Sequence, residues 1–149
     1  MTQILHKNII EITYPSGVSN NTDTVTLTKT VDSLTEIRKQ EITVSASSTV
    51  LLWDSVSTSE NINDFDYILI YNTGSGNLHI ELEVDEDNSV GEEFSTIVLP
   101  TKTHSVFFSN SAYANNGSGS FSGTLDSIEK IRIKEPDGVA GSVLFIIGT

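Results

Sequence analysis

The alternation of apolar and polar residues is clearest in residues 66–108, where it predicts four consecutive β-strands. Residues 78–84 carry Leu, Ile, Leu and Val at every second position with His or Glu between them, which is the period of a half-buried strand. Residues 67–71 are apolar on both faces and lead into the glycine-rich segment 72–77. A fully buried strand, a glycine turn and an alternating strand together predict a β-hairpin in a packed sheet.

The rest of the chain carries weaker versions of the same pattern. Further strands are predicted at residues 3–14, 23–31, 41–45, 49–53, 128–134 and 142–147, with 41–53 alternatively forming one long, kinked strand. The polar segments 54–64 and 110–123 predict loops.

The helical candidate is residues 31–40. Ser33 and Glu36 match a capping box there, and Leu34 and Ile37 have helical spacing. Because the segment is short, a single turn or an irregular connection is an equal alternative.

About nine or ten short strands separated by turn signals predict an all-β protein, an antiparallel β-sandwich with a jelly-roll-like topology. An open two-sheet sandwich is the second choice. No linker or internal repeat divides the 149 residues, so we expect a single domain over residues 1–149. Residues 1–30 are a candidate docking segment, because terminal strands can add to the sheet edge of a partner.

The charge of the chain excludes several classes of partner. Eight basic residues face twenty acidic ones, which gives a net charge of −12. Such a surface repels phosphate backbones and anionic membranes, so we expect neither a nucleic-acid nor a membrane partner. Without cysteine there are no disulfides and no thiolate metal sites. The first residues lack the apolar run of a signal peptide, so we expect synthesis in a cytoplasm without standard export.

The acidic segment around residue 90 is the one candidate for metal binding. Asp85, Asp87, Ser89 and Glu93 offer hard oxygen ligands at nearly every second position, a spacing that can wrap a calcium ion. The turn glycine, Gly91, is one position late for a helix-loop-helix calcium site, and the flanking segments are predicted strands. A solvated hairpin loop is therefore the preferred interpretation.

No residues are assigned to catalysis, to a cofactor or to a metal. His6, His79 and His104 lack the spacing of a zinc site and are interpreted as surface residues. The Gly-Ser-Gly-Ser segment at 117–120 belongs to a predicted loop rather than to a strained nucleophile turn. Paired carboxylates for glycoside cleavage stay open, because any two acids could face each other. An enzyme is the least favoured class.

Aromatic side chains keep a glycan-binding module open as an alternative. Exposed aromatic rings can stack on sugar rings. Trp53 ends an apolar strand and is expected in the core, whereas Tyr113 lies in a predicted loop and is the candidate for stacking.

Several segments together resemble small virion structural proteins of tailed bacteriophages. They are Val-Leu-Leu-Trp-Asp at 50–54, Phe-Asp-Tyr-Ile-Leu-Ile-Tyr-Asn-Thr-Gly at 65–74, Ile-Val-Leu-Pro at 97–100, Ile-Arg-Ile at 131–133 and Gly-Ser-Val-Leu-Phe-Ile-Ile-Gly at 141–148.

The resemblance implies a jelly-roll-like, non-enzymatic module that decorates a capsid or forms part of a head or tail fibre. It implies a homo-oligomer, with a trimer as the first guess, and other virion proteins such as the major capsid protein as partners. The protein would be made in the host cytoplasm and located in the virion. The alternatives are a carbohydrate-binding module and a calcium-stabilised adhesion module.

Overall fold

The computed structural model describes residues 2–13, 22–56, 62, 64–84, 93–108, 111–115 and 121–149. All strand pairs in these residues are antiparallel and no helix occurs among them, so the predicted all-β class is confirmed. The strands are β1 (Thr2–Thr13), β2 (Thr22–Leu34), β3 (Ile37–Val44), β4 (Thr49–Asp54), β5 (Tyr67–Asn72), β6 (Leu78–Val84), β7 (Glu93–Leu99), β8 (His104–Phe107), β9 (Ser111–Asn115), β10 (Phe121–Lys134) and β11 (Gly141–Gly148).

The chain divides into two compact units, Met1–Thr35 and Glu36–Thr149. The first unit contains β1 and β2, which pair along almost their whole length and with no other described strand. We call this two-stranded unit the ribbon. The predicted docking segment, residues 1–30, lies within it. The second unit contains the remaining strands, and we call it the sandwich.

The sandwich has the strand order of a jelly roll. One sheet has the order β3-β11-β5-β8 and the other β4-β10-β6-β7, with β9 paired to the first half of β10. Four nested pairs, β3 with β11, β4 with β10, β5 with β8 and β6 with β7, describe one long hairpin. That hairpin is wound so that β11 also pairs with β5 and β10 with β6. This connectivity confirms the jelly-roll-like sandwich that the sequence predicts.

One hydrophobic core lies between the two sheets, because both contribute side chains to the same buried cluster. In β11 the inward residues are buried and alternate with half-buried outward ones, as a strand in a two-sheet core requires. Fully burying the side chain of a Val, Leu, Ile or Phe residue contributes about 1.5–3 kcal/mol of hydrophobic free energy to folding. The centre of the core consists of fully buried residues from both sheets: Val44, Ile68, Ile70, Leu78, Ile80, Ile131, Ile133 and Val143.

The turn between β5 and β6 is organised by a buried polar side chain, Asn72. Its Nδ2 donates to the carbonyl oxygens of Gly76 (2.8 Å) and Leu99 (3.0 Å), and its Oδ1 accepts from the backbone N–H of Gly74 (3.0 Å). A Cβ at Gly74 would lie 3.1 Å from the backbone nitrogen of Ser142, so the turn passes close to β11. This single side chain therefore connects the glycine turn to the end of β7.

The helical candidate at residues 31–40 is wrong. β2 continues to Leu34, Ile37 begins β3, and the two strands belong to different units. Leu34 and Ile37 fit a helical spacing only by coincidence, because each is a terminal residue of a separate strand. Thr35 and Glu36 form the irregular connection that was the alternative.

The loop predicted at residues 110–123 is replaced in part by strands. β9 occupies residues 111–115, and β10 begins at Phe121 rather than at Ile128. Ser, Asn and Gly dominate this segment, so its composition concealed the pairing of Ser111 with Ser127 and of Tyr113 with Leu125. The segment 41–53, which could have been one strand, is two strands in opposite sheets.

Asn72→Asp should destabilise the sandwich by about 3 kcal/mol, because a carboxylate cannot donate to the two carbonyls and would be a buried charge. Asn77→Asp is the matched control, since Asn77 is exposed in the same turn and should change stability by less than about 0.5 kcal/mol. Urea unfolding followed by the fluorescence of Trp53, the only tryptophan, measures both. Equal effects of the two substitutions would contradict the structural role of Asn72.

Candidate functional site

The ribbon exposes apolar side chains on both of its faces. Directly opposed residues share a face, so Leu5 and Ile9 lie with the exposed threonines of β2 on what we call the threonine face. Leu27 lies opposite Asn8 on the other face, the Leu27 face. Leu5, Ile9 and Leu27 are 61%, 56% and 56% exposed. A two-stranded ribbon is marginally stable by itself in water, so such side chains indicate a surface that contacts a partner.

The ribbon is also the least charged part of the chain. Residues 1–35 contain two lysines and three acidic residues, which gives a formal charge of −1. Residues 36–149 contain the other six basic and seventeen acidic residues, which gives −11. Approach of an acidic partner is therefore opposed by the sandwich far more than by the ribbon.

A cluster of paired charges covers the outward face of β6 and β10. Glu83 is 1% exposed although it points away from the core, and its carboxylate contacts the Nζ of Lys130 and the Nη2 of Arg132. Both contacts are ion pairs, and the contact with Lys130 is also a hydrogen bond. Two residues further along each strand, the Nζ of Lys134 lies 3.6 Å from the Oε1 of Glu81.

The protonation of this cluster follows from its geometry. Burial by itself raises the pKa of Glu83, but the hydrogen bonds and charges of Lys130 and Arg132 outweigh it and lower the pKa. The hydrogen bond to Glu83 raises the pKa of Lys130. Glu83 and Lys130 are therefore held in their charged forms, which suits a structural ion cluster and not a general acid or base.

Glu135 is a second buried carboxylate, and it holds two turns together. Its oxygens accept hydrogen bonds from the backbone N–H groups of Ser47 (2.8 Å), Asp137 (2.7 Å) and Gly138 (2.8 Å). The hydrogen bond from Ser47 is the largest of the effects that lower the pKa of Glu135. Ser47 and Gly138 both have positive φ, 55° and 77°, so the carboxylate stabilises backbone conformations that few residues adopt.

A cavity of about 180 Å³ opens between the two sheets at the side where β3 and β4 are edge strands. Arg38 and Gln40 lie opposite Ile147 and Phe145 on β11, so they are inward-facing polar residues on an edge strand. The volume is below the roughly 300–1,000 Å³ of typical ligand pockets. The cavity has a polar rim of Arg38, Gln40 and Asp54 and an apolar floor that includes Trp53, Phe145 and Ile147.

The described aromatic pairs are edge-to-face or tilted, and Phe108 is an exposed member of one of them, with 43% exposure. Trp53 is 4% exposed, as predicted for a core residue, and its Nε1 donates to the carbonyl of Ile62 (2.9 Å). Its ring meets that of Phe65 edge to face at 5.0 Å. Burial raises the pKa of Tyr67, whose ring lies 5.7 Å from that of Phe108. The side chain of Tyr113, the predicted stacking residue, lies outside the described residues.

The three histidines lie on different elements. His6 is in β1 of the ribbon, His79 points outward from β6, and His104 is exposed in β8 of the other sheet. Among the described residues no three His, Cys, Asp or Glu side chains are grouped as metal ligands. The calcium candidate falls outside this description, because residues 85–92 and the side chain of Glu93 are not described.

Sequence reasoning did not assign roles to Glu83 and Glu135. Glu83 alternates regularly with apolar neighbours, so its pattern is that of any solvated strand residue. Its burial depends on Lys130 and Arg132 of β10, which is next to β6 in the sheet but far from it in sequence. Glu135 had a weak local signal, because it precedes Pro-Asp-Gly, a turn sequence whose backbone N–H groups need acceptors.

Glu83→Gln should destabilise the sandwich by about 2 kcal/mol, because it leaves two cations without their buried counter-charge. The side chains of Lys130 and Arg132 are 25% and 23% exposed, so solvent reduces the penalty below that of a fully buried pair. Glu81→Gln, at the longer and more exposed pair with Lys134, should change stability by less than about 1 kcal/mol. Chemical denaturation at pH 7 compares the two, and a ranking in the opposite order would contradict the buried ion cluster.

Glu135→Gln should lower the melting temperature by several degrees at pH 7, because its amide nitrogen faces backbone donors. The folded-state pKa lies below the ordinary 4.5, so the carboxylate stabilises the fold above about pH 4.5 and loses that effect as the pH falls through the folded pKa. The difference between the wild type and the variant should therefore narrow below pH 4.5. Asp137→Asn, which removes an exposed neighbouring charge, is the control. A constant difference at all pH values would contradict the assignment.

Comparison with known proteins gives no family for this chain. A scan of protein-family models finds no match, and no curated protein is significantly similar to it in sequence. In the part that the structure describes, no helix is long and apolar enough to cross a membrane.

Proposed function

We propose that this chain is a non-enzymatic structural protein of a tailed-bacteriophage virion, most simply a capsid decoration or head-associated protein. The observation that carries the proposal is the combination of a self-contained acidic sandwich with a separate ribbon that exposes apolar side chains on both faces. Such a ribbon suits attachment to a larger assembly, because strands and apolar faces are common docking elements. The partners on this proposal are further copies of the chain and other virion proteins such as the major capsid protein.

The jelly-roll architecture supports the proposal without deciding it. Viral capsid domains use this arrangement, but lectin domains and cupins use it as well, so the fold alone does not select a function. The sites do favour a structural role. The described groups with shifted pKa values are explained by burial or by contacts that hold the fold: Tyr67, Glu83, Lys130 and Glu135.

Charge gives the proposed position on the particle. A sandwich with a formal charge of −11 is repelled by packaged DNA and is compatible with an outward-facing location. The same charge keeps the sandwiches of neighbouring copies from associating nonspecifically. On this proposal the protein is made in the host cytoplasm and becomes part of the virion.

Attachment to the particle should require the ribbon. The experiment compares the labelled full chain with residues 36–149. Each is incubated with virions from phage that carries a deletion of the gene for this chain, and the virions are then sedimented. We expect the full chain to bind with a saturable stoichiometry and the fragment to stay in the supernatant. The fragment should keep a β-type circular dichroism spectrum and a buried Trp53, because the core cluster lies entirely within residues 36–149.

Two results would oppose the proposal in different ways. A full chain that neither sediments with virions nor occurs in purified virions by mass spectrometry would refute the virion function. A folded fragment 36–149 that still binds virions would keep the function and refute the role of the ribbon.

A further inference from the structure

Both faces of the ribbon need to be covered, and this requirement limits the possible partners. The threonine face carries Leu5 and Ile9, and the opposite face carries Leu27, each more than half exposed. Val31 is on the same face as Leu27 and is buried, so contact through the threonine face alone would leave Leu27 itself in water. A partner that covers both faces must therefore approach from two sides.

The size of the ribbon also favours contact through both of its faces. β1 has twelve residues, so the ribbon is about 40 Å long and about 10 Å wide, and each face measures about 400 Å². Two ribbons that meet by one face each would bury about 800 Å² in total, less than the roughly 1,200 Å² of a stable specific interface. A ribbon that lies between two others makes two such contacts, so its removal exposes about 1,600 Å² in total, although each single contact stays at about 800 Å².

The sandwich, in contrast, is protected against association at several of its sheet edges. β3 carries inward-facing Arg38 and Gln40, β8 is only four residues long, and the pairing of β4 with β10 is irregular near Arg132. Inward polar residues, short edge strands and bulges all oppose edge-to-edge pairing. β1 and β2, with twelve and thirteen residues, show no comparable shortening.

Charge favours a second copy of this chain as the partner through the ribbon. Contacts between two sandwiches would bring formal charges of −11 together, whereas two ribbons carry only −1 each. Contact between ribbons is therefore the contact between copies with the smallest electrostatic cost.

We propose that the ribbons of neighbouring copies pack on one another, with the threonine face of one ribbon against the Leu27 face of the next. This inference rests on the proposed function, because the ribbon is its docking element, and it names the partner of that element. Each contact joins two different faces, so it is a head-to-tail contact that continues from copy to copy. Because the two faces of a ribbon point in opposite directions, a ribbon that is covered on both faces needs one neighbour on each side. The smallest assembly that contains such a ribbon has three copies.

The first test measures the solution mass by light scattering. The full chain should have at least three times its 16.2 kDa monomer mass, and Leu5→Thr/Ile9→Thr/Leu27→Thr should have the monomer mass. Threonine is chosen because it keeps a high strand propensity while removing apolar surface. The matched control is Val98→Thr/Val139→Thr, which changes sandwich side chains that are 56% and 51% exposed and should leave the mass unchanged.

A second test identifies the faces in contact and does not depend on the stability of the substituted ribbon. The chain has no cysteine, so introduced cysteines report only the designed contact. Leu27→Cys/Thr28→Cys places one thiol on each face and should give a ladder of disulfide-linked oligomers under oxidising conditions. Each single variant should stay unlinked, because a cysteine on one face then meets a face without one.

The outcomes separate this inference from the proposed function. A wild-type monomer or dimer, an unchanged mass for the threonine variant, or cross-linking of a single-cysteine variant would overturn the packing of ribbons. A monomer that binds virions through its ribbon would overturn this inference and leave the virion function standing. An oligomer that depends on the ribbon but ignores virions would support the inference and refute the virion function.

Discussion

The fold depends on the last two strands of the chain, because each lies between two other strands of its sheet. β11 pairs with β3 and β5, and β10 pairs with β4 and β6. The pairing of Ile37 with Gly148 joins the two ends of the sandwich. Neither sheet can be completed before these strands are in place, and such long-range pairing carries a high loop-closure cost. The hydrophobic side chains that β10 and β11 contribute to the core offset that cost, so the sandwich should form cooperatively.

Buried polar side chains determine the conformation of the turns, which apolar packing does not. Apolar burial is not directional, so it does not by itself determine how a turn closes. Asn72 determines the β5–β6 turn through three hydrogen bonds, and Glu135 determines two turns through backbone donors. Because their hydrogen-bonding capacity is used within the fold, neither group is placed to act on a substrate.

The sequence predicted the elements with strong alternation and failed where a neighbour in space decides the outcome. The period-two pattern of 78–84 located β6, and the apolar run at 142–147 located β11, since each strand buries one or both faces. The paired segment 111–115 lacked such a pattern. The alternation of apolar and polar residues predicts where strands lie but not which strands pair. The sequence therefore could not distinguish a jelly roll from other β-sandwiches. Glu83 could not be recognised, because its burial comes from cations about fifty residues away.

For residues 1–30, the sequence predicted strands at 3–14 and 23–31 but not that the two strands pair with each other. Residues 1–30 were expected to add a strand to the edge of a partner's sheet, whereas β1 and β2 satisfy each other's inner edges. The acidic sandwich, with its shortened and interrupted edge strands, resists association, and the nearly neutral ribbon does not. On the proposed function, this difference in charge favours contacts through the ribbon, because a contact between two sandwiches costs more electrostatic free energy than a contact between two ribbons.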